Sequence, residues 1–402
     1  MPAPVDIQIL DTSHADEVMD LLEYSFGWPH TERNHTRLTH LMEHAQSYGA
    51  RLDGALAGQV FSLPFTAGLH GAHLPACGIG FVATYPEYRG RGVASAVMDR
   101  ILADAHADGV ALSYLAPFSY PFYRAFGYEH AFDERTYQMR VGDWPDGPRV
   151  AGHVERLEWQ RARDAVHAIY AAGEAHRPAA LVRDAWWEEY KFNLRAAYRF
   201  AVYYAEDGEP QGYLAYQLGN NAVNIFEWEW LTTEAYHALS RYIRSHQAEF
   251  ALAWSCAVPN VGERMPLPAD PATISYATRP YMMARIVDMQ AFLGAFPFAG
   301  TQDFAFSVHV GADAHAPWNE GVWTVERRDG SVSVTHAAGE PGPSASVPVL
   351  RTTIQRAVQL FLGYAPLSQL TLTGGIQAED PRLQTLLAQI IPAGKPAMED
   401  YF

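Results

Sequence analysis

Residues 80–94 join a short apolar run to a helical pattern through a turn that reads Arg89-Gly90-Arg91-Gly92. The run up to Thr84 reads as a buried strand, and from Val93 onward apolar residues recur at helical spacing. The turn therefore stands at a helix N-terminus, where unpaired backbone N–H groups and the helix dipole attract anions. Glycine there lets the backbone approach phosphate oxygens closely. The segment predicts a strand–turn–helix unit that holds a pyrophosphate; a tight turn with solvated arginines is the alternative.

Two other phosphate-binding patterns are absent from this stretch. It contains no Gly-x-Gly-x-x-Gly, which excludes the common dinucleotide-binding fingerprint, and no Gly-Lys-Ser/Thr, which excludes a nucleotide-binding P-loop. If the turn binds a phosphate group, that group therefore belongs to another kind of ligand.

Length, charge and cysteine content narrow the class of protein. At 402 residues, 49% of them hydrophobic, the chain is long enough for two or three cores. Its 29 basic and 45 acidic residues give a net charge of -16, which disfavours nucleic acid and favours a small cationic partner, although acidic surfaces also serve solubility. Only Cys77 and Cys256 are present and the histidines lack ligand spacing, so neither a disulfide framework nor a metal site is predicted. The absence of a leader and of a membrane-spanning run predicts a cytoplasmic protein without membrane insertion.

The first third reads as helices, an antiparallel meander over 51–84, the arginine-glycine turn, a helix, a strand at 110–114 and a short helix at 121–126. A last strand from Tyr128 is expected to close this unit near Asp143.

The middle third repeats this order of elements. Strands at 198–204, 212–218 and 222–230 precede a helix at 233–248 and a strand at 251–256. In place of the arginine-glycine turn, residues 231–234 read Leu-Thr-Thr-Glu, which should repel a pyrophosphate. This predicts a degenerate copy; the alternative is an unrelated α/β domain of similar order.

The last third reads as a small α+β domain. Strands are expected at 304–310, 321–327 and 331–335, followed by helices at 350–362 and 381–391. Asp380 and Pro381 form a cap and first-turn pair for the second of these helices.

Three motifs carry a family resemblance. Arg89, Gly92 and Ala94 fill the pattern Gln/Arg-x-x-Gly-x-Gly/Ala of the coenzyme A loop in the GNAT superfamily of N-acetyltransferases. Residues 120–128 read Tyr-Pro-Phe-Tyr-Arg-Ala-Phe-Gly-Tyr, and the last three residues are Asp-Tyr-Phe. With these motifs, nearly the whole chain resembles the Eis (enhanced intracellular survival) family of acetyltransferases.

The resemblance implies a mixed α/β and α+β fold in three parts. These are a catalytic GNAT domain at 1–143, a degenerate GNAT-like domain at 144–288, and a sterol-carrier-protein-like domain at 289–402 that supplies a C-terminal carboxylate. It also implies acetyl-CoA (coenzyme A) as the cofactor and a homo-oligomer, which in the family is a hexamer.

The resemblance further assigns the catalytic groups. In the family a terminal phenylalanine carboxylate is the general base and a tyrosine before Phe-Gly-Tyr is the general acid, which correspond to Phe402 and Tyr123. The chemistry agrees, since an amine must lose its ammonium proton to attack a thioester and the departing thiolate must gain one. A packing role for Tyr123 and a frayed end at Phe402 are the alternatives. Glu399 and Asp400 read either as an attraction for a cation or as a solvated acidic tail.

The cofactor contacts are expected along the strand end, the turn and one later loop. Backbone groups at the strand end would bind the pantetheine arm and polarise the thioester carbonyl. The turn would hold the pyrophosphate, and the loop before residue 120 aligns with a family segment that borders coenzyme A. The predicted cofactor-binding residues are Val82, Ala83, Thr84, Arg89, Gly90, Arg91, Gly92, Val93, Ala94, Ser95, Phe118 and Ser119.

The amine pocket is predicted from the aromatic residues Phe26, Trp28, Phe65 and Tyr401. An acidic residue that the family uses for aminoglycoside amines is not matched around residues 25–28. Aromatic walls suit an amine with an apolar body or a cation held against a ring face, although the same residues read equally well as core.

The sequence thus predicts an N-acetyltransferase that acts by direct transfer in a ternary complex on a primary amine of a polyamine, an aminoglycoside-like molecule or a lysine. The alternative is a ligand- or lipid-binding protein with a vestigial acetyltransferase fold.

Overall fold

The computed structural model describes residues 5–257, 266–342 and 347–402, except for the side chains of Cys256 and Ala257. The chain forms two compact units. The first unit contains Met1–Phe132, Tyr281–Pro396 and Tyr401–Phe402, and the second contains Asp133–Pro280 and Ala397–Asp400.

The regular elements follow in chain order. The strands are β1 (Asp6–Leu10), β2 (Gln46–Leu52), β3 (Ala55–Leu69), β4 (Ala72–Thr84), β5 (Leu112–Leu115), β6 (Glu129–Arg140), β7 (His153–Leu157), β8 (Ala180–Val182), β9 (Arg199–Tyr204), β10 (Pro210–Gly219), β11 (Ala222–Trp230), β12 (Leu252–Ala257), β13 (Ser275–Ile286), β14 (Phe304–Val310), β15 (Gly321–Arg328), β16 (Ser331–Ala337), β17 (Val349–Thr352) and β18 (Ile376–Gln377). The α-helices are α1 (Ala15–Phe26), α2 (Glu32–His44), α3 (Val93–Ala107), α4 (Tyr120–Ala125), α5 (Trp159–Ala172), α6 (Ala185–Glu189), α7 (Thr233–Arg244), α8 (Met289–Ala295), α9 (Ile354–Phe361), α10 (Leu367–Leu372) and α11 (Pro381–Ile390). Within the described ranges, no helix has both the length and the apolar character that crossing a bilayer demands.

The first unit is built on a sheet in the order β1-β2-β3-β4-β5-β13. Its pairings are antiparallel except that of β4 with β5, which is parallel. The predicted meander into the arginine-glycine turn is confirmed. The strand predicted from Tyr128 is confirmed as β6, but its predicted place as the closing strand of this unit is wrong. Strand β13 lies beside β5, whereas β6 continues into the second unit and pairs there with β12. Alternation identifies a strand but not its neighbour.

The second unit repeats this arrangement with a sheet in the order β7-β9-β10-β11-β12-β6, in which β11 and β12 run parallel. The predicted second copy is therefore confirmed in its strand order. The start of α7 is capped by its own chain, because Thr232 Oγ accepts a hydrogen bond from Ala235 N at 3.2 Å. The side chain of Thr232 thus pairs with one of the N–H groups that a helix leaves unpaired at its start.

A second sheet in the first unit has the order β16-β15-β14-β17-β18 and is accompanied by helices α8 to α11. Asp380 caps α11 by accepting a hydrogen bond from Arg382 N at 2.8 Å, as predicted. The predicted helix at 350–362 is wrong in its first residues. Leu350 pairs in parallel register with Val308 in β14, and Thr353 then caps α9.

Helix α3 is held against the first sheet by one apolar face. Each fully buried aliphatic side chain contributes about 1.5–3 kcal/mol relative to exposure. Because this face begins at the first helical residue, it fixes the N-terminus of α3 just past the end of β4. The buried residues are Val93, Val97, Met98, Ile101, Leu102 and Ala105, as the helical spacing predicts.

Candidate active site

The strands β4 and β5 separate in the middle of the first sheet. Their parallel pairing runs from Ala76 opposite Leu112 to Ile79 opposite Leu115, while β4 continues to Thr84. On its other side β4 bulges, since the register with β3 shifts so that Phe81 and Val82 together face a single residue. The strand end from residue 80 onward therefore presents backbone groups beyond the last pair with β5.

The bulge is centred on Phe81, whose φ of 53° lies in the left-handed region that non-glycine residues rarely adopt. The fully buried amide of Gln59 holds it, because Gln59 Nε2 donates to Phe81 O at 2.9 Å and Gln59 Oε1 accepts from Ser47 Oγ at 3.1 Å. The sequence contains no signal for this conformation, since an apolar residue in an alternating run predicts ordinary extended backbone.

The N-terminus of α3 is left open by the turn that precedes it. Gly90 and Gly92 have φ values of 73° and 81°, and a Cβ added to either would meet no atom within 4 Å. Gly92 occupies the capping position and has no side chain to cap with, and the first helical bond is Ala96 N–H to Gly92 O at 2.9 Å. The preceding N–H groups, of Val93, Ala94 and Ser95, are the donors that a helix leaves unsatisfied at its start.

Two exposed arginines flank this helix end. Arg91 lies 3.9 Å from Asp53 and over the ring of Tyr88 at 5.6 Å, and Arg89 is exposed. Backbone donors, the helix dipole and two guanidinium groups are therefore available together at this helix end, and each of them favours an anionic group.

Phe402 lies against two glycines of β4. It is 8% exposed, and its ring centroid is 5.0 Å from that of Phe65. A Cβ on Gly78 would stand 2.7 Å from Cε2 of Phe402, and a Cβ on Gly80 would stand 3.4 Å from its main-chain carbonyl carbon. The two glycines thus form a cradle for Phe402, beside the point where β5 leaves β4. Glycines inside a strand are a known sign of close approach, so Gly78 and Gly80 were detectable but missed.

Tyr123 is 1% exposed in the core beneath α3. Its ring packs edge-on against Phe118 at 5.1 Å and Phe122 at 5.0 Å. Burial raises the pKa of its phenol above the ordinary value of 10, so the hydroxyl keeps its proton throughout the physiological range. This state is the one that a general acid requires.

The loop before α4 contains Phe118 and Ser119, and Ser119 also stabilises the start of that helix. Ser119 caps α4, since its Oγ accepts from Phe122 N at 3.4 Å. Phe118 is 67% exposed, which leaves most of its ring available to another molecule.

The four predicted pocket aromatics each pack against one of three other rings. Phe26 and Trp28 both meet the ring of Phe81, at 6.2 and 5.3 Å, and Phe65 meets Phe402. Tyr401 packs against Tyr281 at 5.9 Å. One face of Trp28 is covered by the guanidinium of Arg37 at 3.9 Å, so that face already holds a cation from the chain itself.

Neither expectation for the acidic pair before Tyr401 is correct for Asp400. Its side chain is 0% exposed and lies 3.1 Å from both Arg183 and Lys191. A charge buried with two cations is neither a solvated tail nor an attraction for an external amine.

Comparison with known proteins gives three domain matches. Residues 6–131 and residues 179–286 each match an acetyltransferase (GNAT) domain family, and residues 289–399 match a sterol carrier protein domain family.

Three relatives show how far the similarity extends. A crystal structure from Enterococcus faecalis, described as a conserved protein of unknown function and probable N-acyltransferase, is 35% identical with a TM-score of 0.92 and covers 99% of this chain and 100% of its own. Eis1 from Mycobacterium abscessus has the same fold at 18% identity, with a TM-score of 0.77 over 99% of this chain and 100% of its own. An uncharacterised N-acetyltransferase from Streptomyces avermitilis is 26% identical over 284 residues, so the match spans 63% of this chain and 65% of that relative's length.

Proposed function

Since the chain belongs to the GNAT acetyltransferases with the Eis-type arrangement, two acetyltransferase domains followed by a sterol carrier protein domain, we propose that it transfers the acetyl group of acetyl-CoA to a primary amine of a cationic acceptor. The observation that carries this proposal is the position of Phe402 on Gly78 and Gly80, next to the strand end that leads into the arginine-glycine turn. The carboxyl group of Phe402 would act as the base. The proposed anion site at the start of α3, which follows the end of the same strand, would bind a donor that carries phosphate.

Different residues of the first unit are proposed to bind the donor, to accept a proton and to give one. Acetyl-CoA, when bound, supplies an activated thioester. Arg89, Arg91 and the N-terminus of α3 bind its phosphates, and the strand end at 82–84 offers backbone donors to the thioester oxygen. The carboxylate of Phe402 accepts a proton from the substrate ammonium, directly or through water, and the phenol of Tyr123 gives a proton to the departing sulfur.

Direct transfer without an acyl-enzyme agrees with the state of Cys77. The thiol is 4% exposed, and burial raises its pKa to about 11, so it stays protonated at neutral pH. A protonated thiol is a poor nucleophile. As neighbours along β4, Cys77 and Gly78 face opposite sides of the sheet, so the thiol points away from Phe402. The side chain of Cys256 lies outside the described part of the chain.

The acceptor is expected to be cationic because the chain carries a net charge of -16. The test is a thiol-release assay with acetyl-CoA and separate panels of polyamines, aminoglycosides and lysine peptides. Amine-dependent release with at least one panel, and acetylated amine by mass spectrometry, is the expected result. Release at the rate of the amine-free control with every panel would falsify the proposed activity.

Removing one arginine of the turn should weaken donor binding. A charge-assisted hydrogen bond contributes about 1.5–3 kcal/mol, so Arg89→Gln is expected to raise the Kd for acetyl-CoA by roughly tenfold or more. Isothermal titration calorimetry gives this constant. The matched control is Arg100→Gln further along α3, whose guanidinium is bound to Asp104 at 2.9 Å. If Arg89→Gln and the wild type have equal Kd values for acetyl-CoA, Arg89 does not bind the phosphates of the donor.

Filling the glycine cradle should displace the base. In Gly78→Ala the new Cβ would stand 2.5 Å from Phe65 and 2.7 Å from Phe402, so one of these rings must move. Misplacing a catalytic group by about 1 Å can cost around 10²-fold, and we expect a loss of kcat of that order. Gly219→Ala, where a Cβ meets nothing within 4 Å, is the control, and Phe65→Leu in the Gly78→Ala background should restore part of the rate. Full activity of Gly78→Ala contradicts the proposed position of the base.

The ligand-carrier alternative is opposed by the interior of the C-terminal part. Its phenylalanines are buried and packed on one another with ring centroids 4.7 to 5.9 Å apart. These rings occupy the interior, which favours a structural role for this part of the chain. They are Phe292, Phe296, Phe298, Phe304, Phe306 and Phe361.

We also propose that the protein works as a homo-oligomer, the hexamer of the Eis family being the expected form. Native mass spectrometry measures this directly, and a spectrum of monomer alone contradicts it.

A further inference from the structure

A group of buried charges in the second unit is not used by the proposed chemistry. Its charged members are Arg183, Lys191, Glu227 and Asp400, and we call them the buried charge cluster. All four side chains are at most 10% exposed. Buried charges are costly unless they are paired, so this cluster must be closely matched.

Arg183 is the centre of the cluster. Its two terminal nitrogens donate to the two oxygens of Glu227 at 2.7 Å each, and its Nε lies 3.1 Å from both carboxylate oxygens of Asp400. The guanidinium plane also covers the ring of Tyr170 at 3.6 Å. A fork that engages two carboxylates in fixed directions specifies position as well as charge.

Asp400 is held by two hydrogen-bond donors and by the ammonium group of Lys191. Besides Arg183, Trp187 Nε1 donates to its Oδ1 at 2.9 Å, and Lys191 Nζ lies 3.1 Å from the same oxygen. Burial would raise the pKa of Asp400, but the charges of Arg183 and Lys191 outweigh burial and hold it below the usual range, so the carboxylate is ionised. The cluster thus balances two cations with two carboxylates.

The backbone around Asp400 is tied down as well. Ala397 N donates to Pro178 O at 2.8 Å, and Lys191 Nζ donates to Glu399 O at 3.0 Å. A single residue, Tyr401, separates this anchored stretch from Phe402. Because a residue spans at most about 3.6 Å, Asp400 limits the position of the Phe402 backbone to within roughly 7 Å.

We propose that the buried charge cluster is the anchor of the C-terminal tail, and that Arg183, Lys191 and Asp400 are positioning residues for the Phe402 carboxylate. The proposal rests on the proposed function of Phe402 as base. Fixing the tail before the substrate arrives removes the cost of ordering a chain end during the reaction. It also explains why a carboxylate and a guanidinium are buried together here rather than apolar residues of the same volume.

The first test measures the tail itself and does not depend on activity. Asp400→Asn keeps the shape and removes the charge that balances the cations. Carboxypeptidase A is expected to release phenylalanine from this variant at least about tenfold faster than from the wild type, because the tail opens locally while the rest stays folded. The control is Glu155→Gln in the same unit, whose partner Arg161 is 71% exposed. Circular dichroism verifies that each variant is folded.

If Asp400→Asn does not fold, Trp187→Phe, which removes one hydrogen bond to Asp400, is measured in the same way. Release of phenylalanine at the wild-type rate by a folded variant overturns the anchor.

The second test separates positioning from general damage. In Asp400→Asn we expect kcat to fall by about tenfold while KM for acetyl-CoA stays within about twofold, since Asp400 is not among the residues proposed to bind the donor. A fall in kcat that is accompanied by a similar rise in KM for acetyl-CoA contradicts a positioning role. A similar fall in kcat in the Glu155→Gln control contradicts it as well. If the wild type transfers no acetyl group at all, the proposed function fails, whereas the carboxypeptidase result still decides whether the cluster holds the tail.

Discussion

Adding two glycines after Phe402 is expected to lower kcat/KM for acetyl transfer by about 10²–10⁴-fold, the usual contribution of a general base. The addition turns the carboxylate of Phe402 into a neutral amide that cannot accept a proton. It also places new backbone beside β4, where the main-chain carbonyl carbon of Phe402 already stands 3.4 Å from the Cβ position of Gly80. Steady-state thiol release with a saturating amine measures the loss.

Two comparisons make this result specific. The same two glycines added before Met1 should leave kcat/KM unchanged. Removal of Phe402 should be as harmful as the extension, because Tyr401, which packs on Tyr281, would then carry the carboxylate away from the glycine cradle. An extended protein that is folded and retains the wild-type rate excludes the carboxylate from catalysis.

Tyr123→Phe is expected to reduce kcat by about 10²–10⁴-fold, because the variant keeps the ring but has no proton for the departing sulfur. Packing against Phe118 and Phe122 is preserved by phenylalanine, so the free energy of unfolding should change little. The matched control is Tyr128→Phe, which loses a buried hydroxyl bonded to Ser113 Oγ at 2.7 Å and should keep kcat within about threefold.

The pH profile provides an independent reading of the same residue. A general acid acts in its protonated form, and burial raises the pKa of Tyr123 above 10. The contribution of Tyr123 is therefore fully present at neutral pH and persists as pH rises, until the raised pKa is passed. We expect kcat of the wild type to show no decline between pH 7 and about pH 10. A decline with a midpoint near pH 8 that disappears in Tyr123→Phe would contradict the assignment.

Local elements were predicted well because their signals are local. Helix α3 was expected from Val93 and is found from Val93 to Ala107, since one apolar face and a glycine turn define it. Strand β11 has the predicted bounds Ala222–Trp230. The error at Leu350 shows the limit of this reasoning, because a short apolar run before a helix reads as helix until its pairing with β14 is known.

Some features of the candidate site could be predicted from local sequence, and others could not. The arginine-glycine turn could be predicted from a motif, as could candidate roles for Tyr123 and Phe402. The left-handed backbone of Phe81 could not, because it depends on the register of β3 against β4 and on a buried amide of Gln59. The fate of Asp400 also depends on a distant partner, since Arg183 lies 217 residues earlier in the chain.

From the order of its residues alone, this chain specifies a repeated α/β unit and a turn whose donors suit a phosphate, since capping, alternation and helical spacing act between near neighbours. The tertiary structure decides which carboxylates are buried. It also decides which main-chain groups of β4 lie beyond its last pair with β5. Both outcomes depend on residues far apart in sequence, whose mutual attraction is strong only where the surrounding chain excludes solvent.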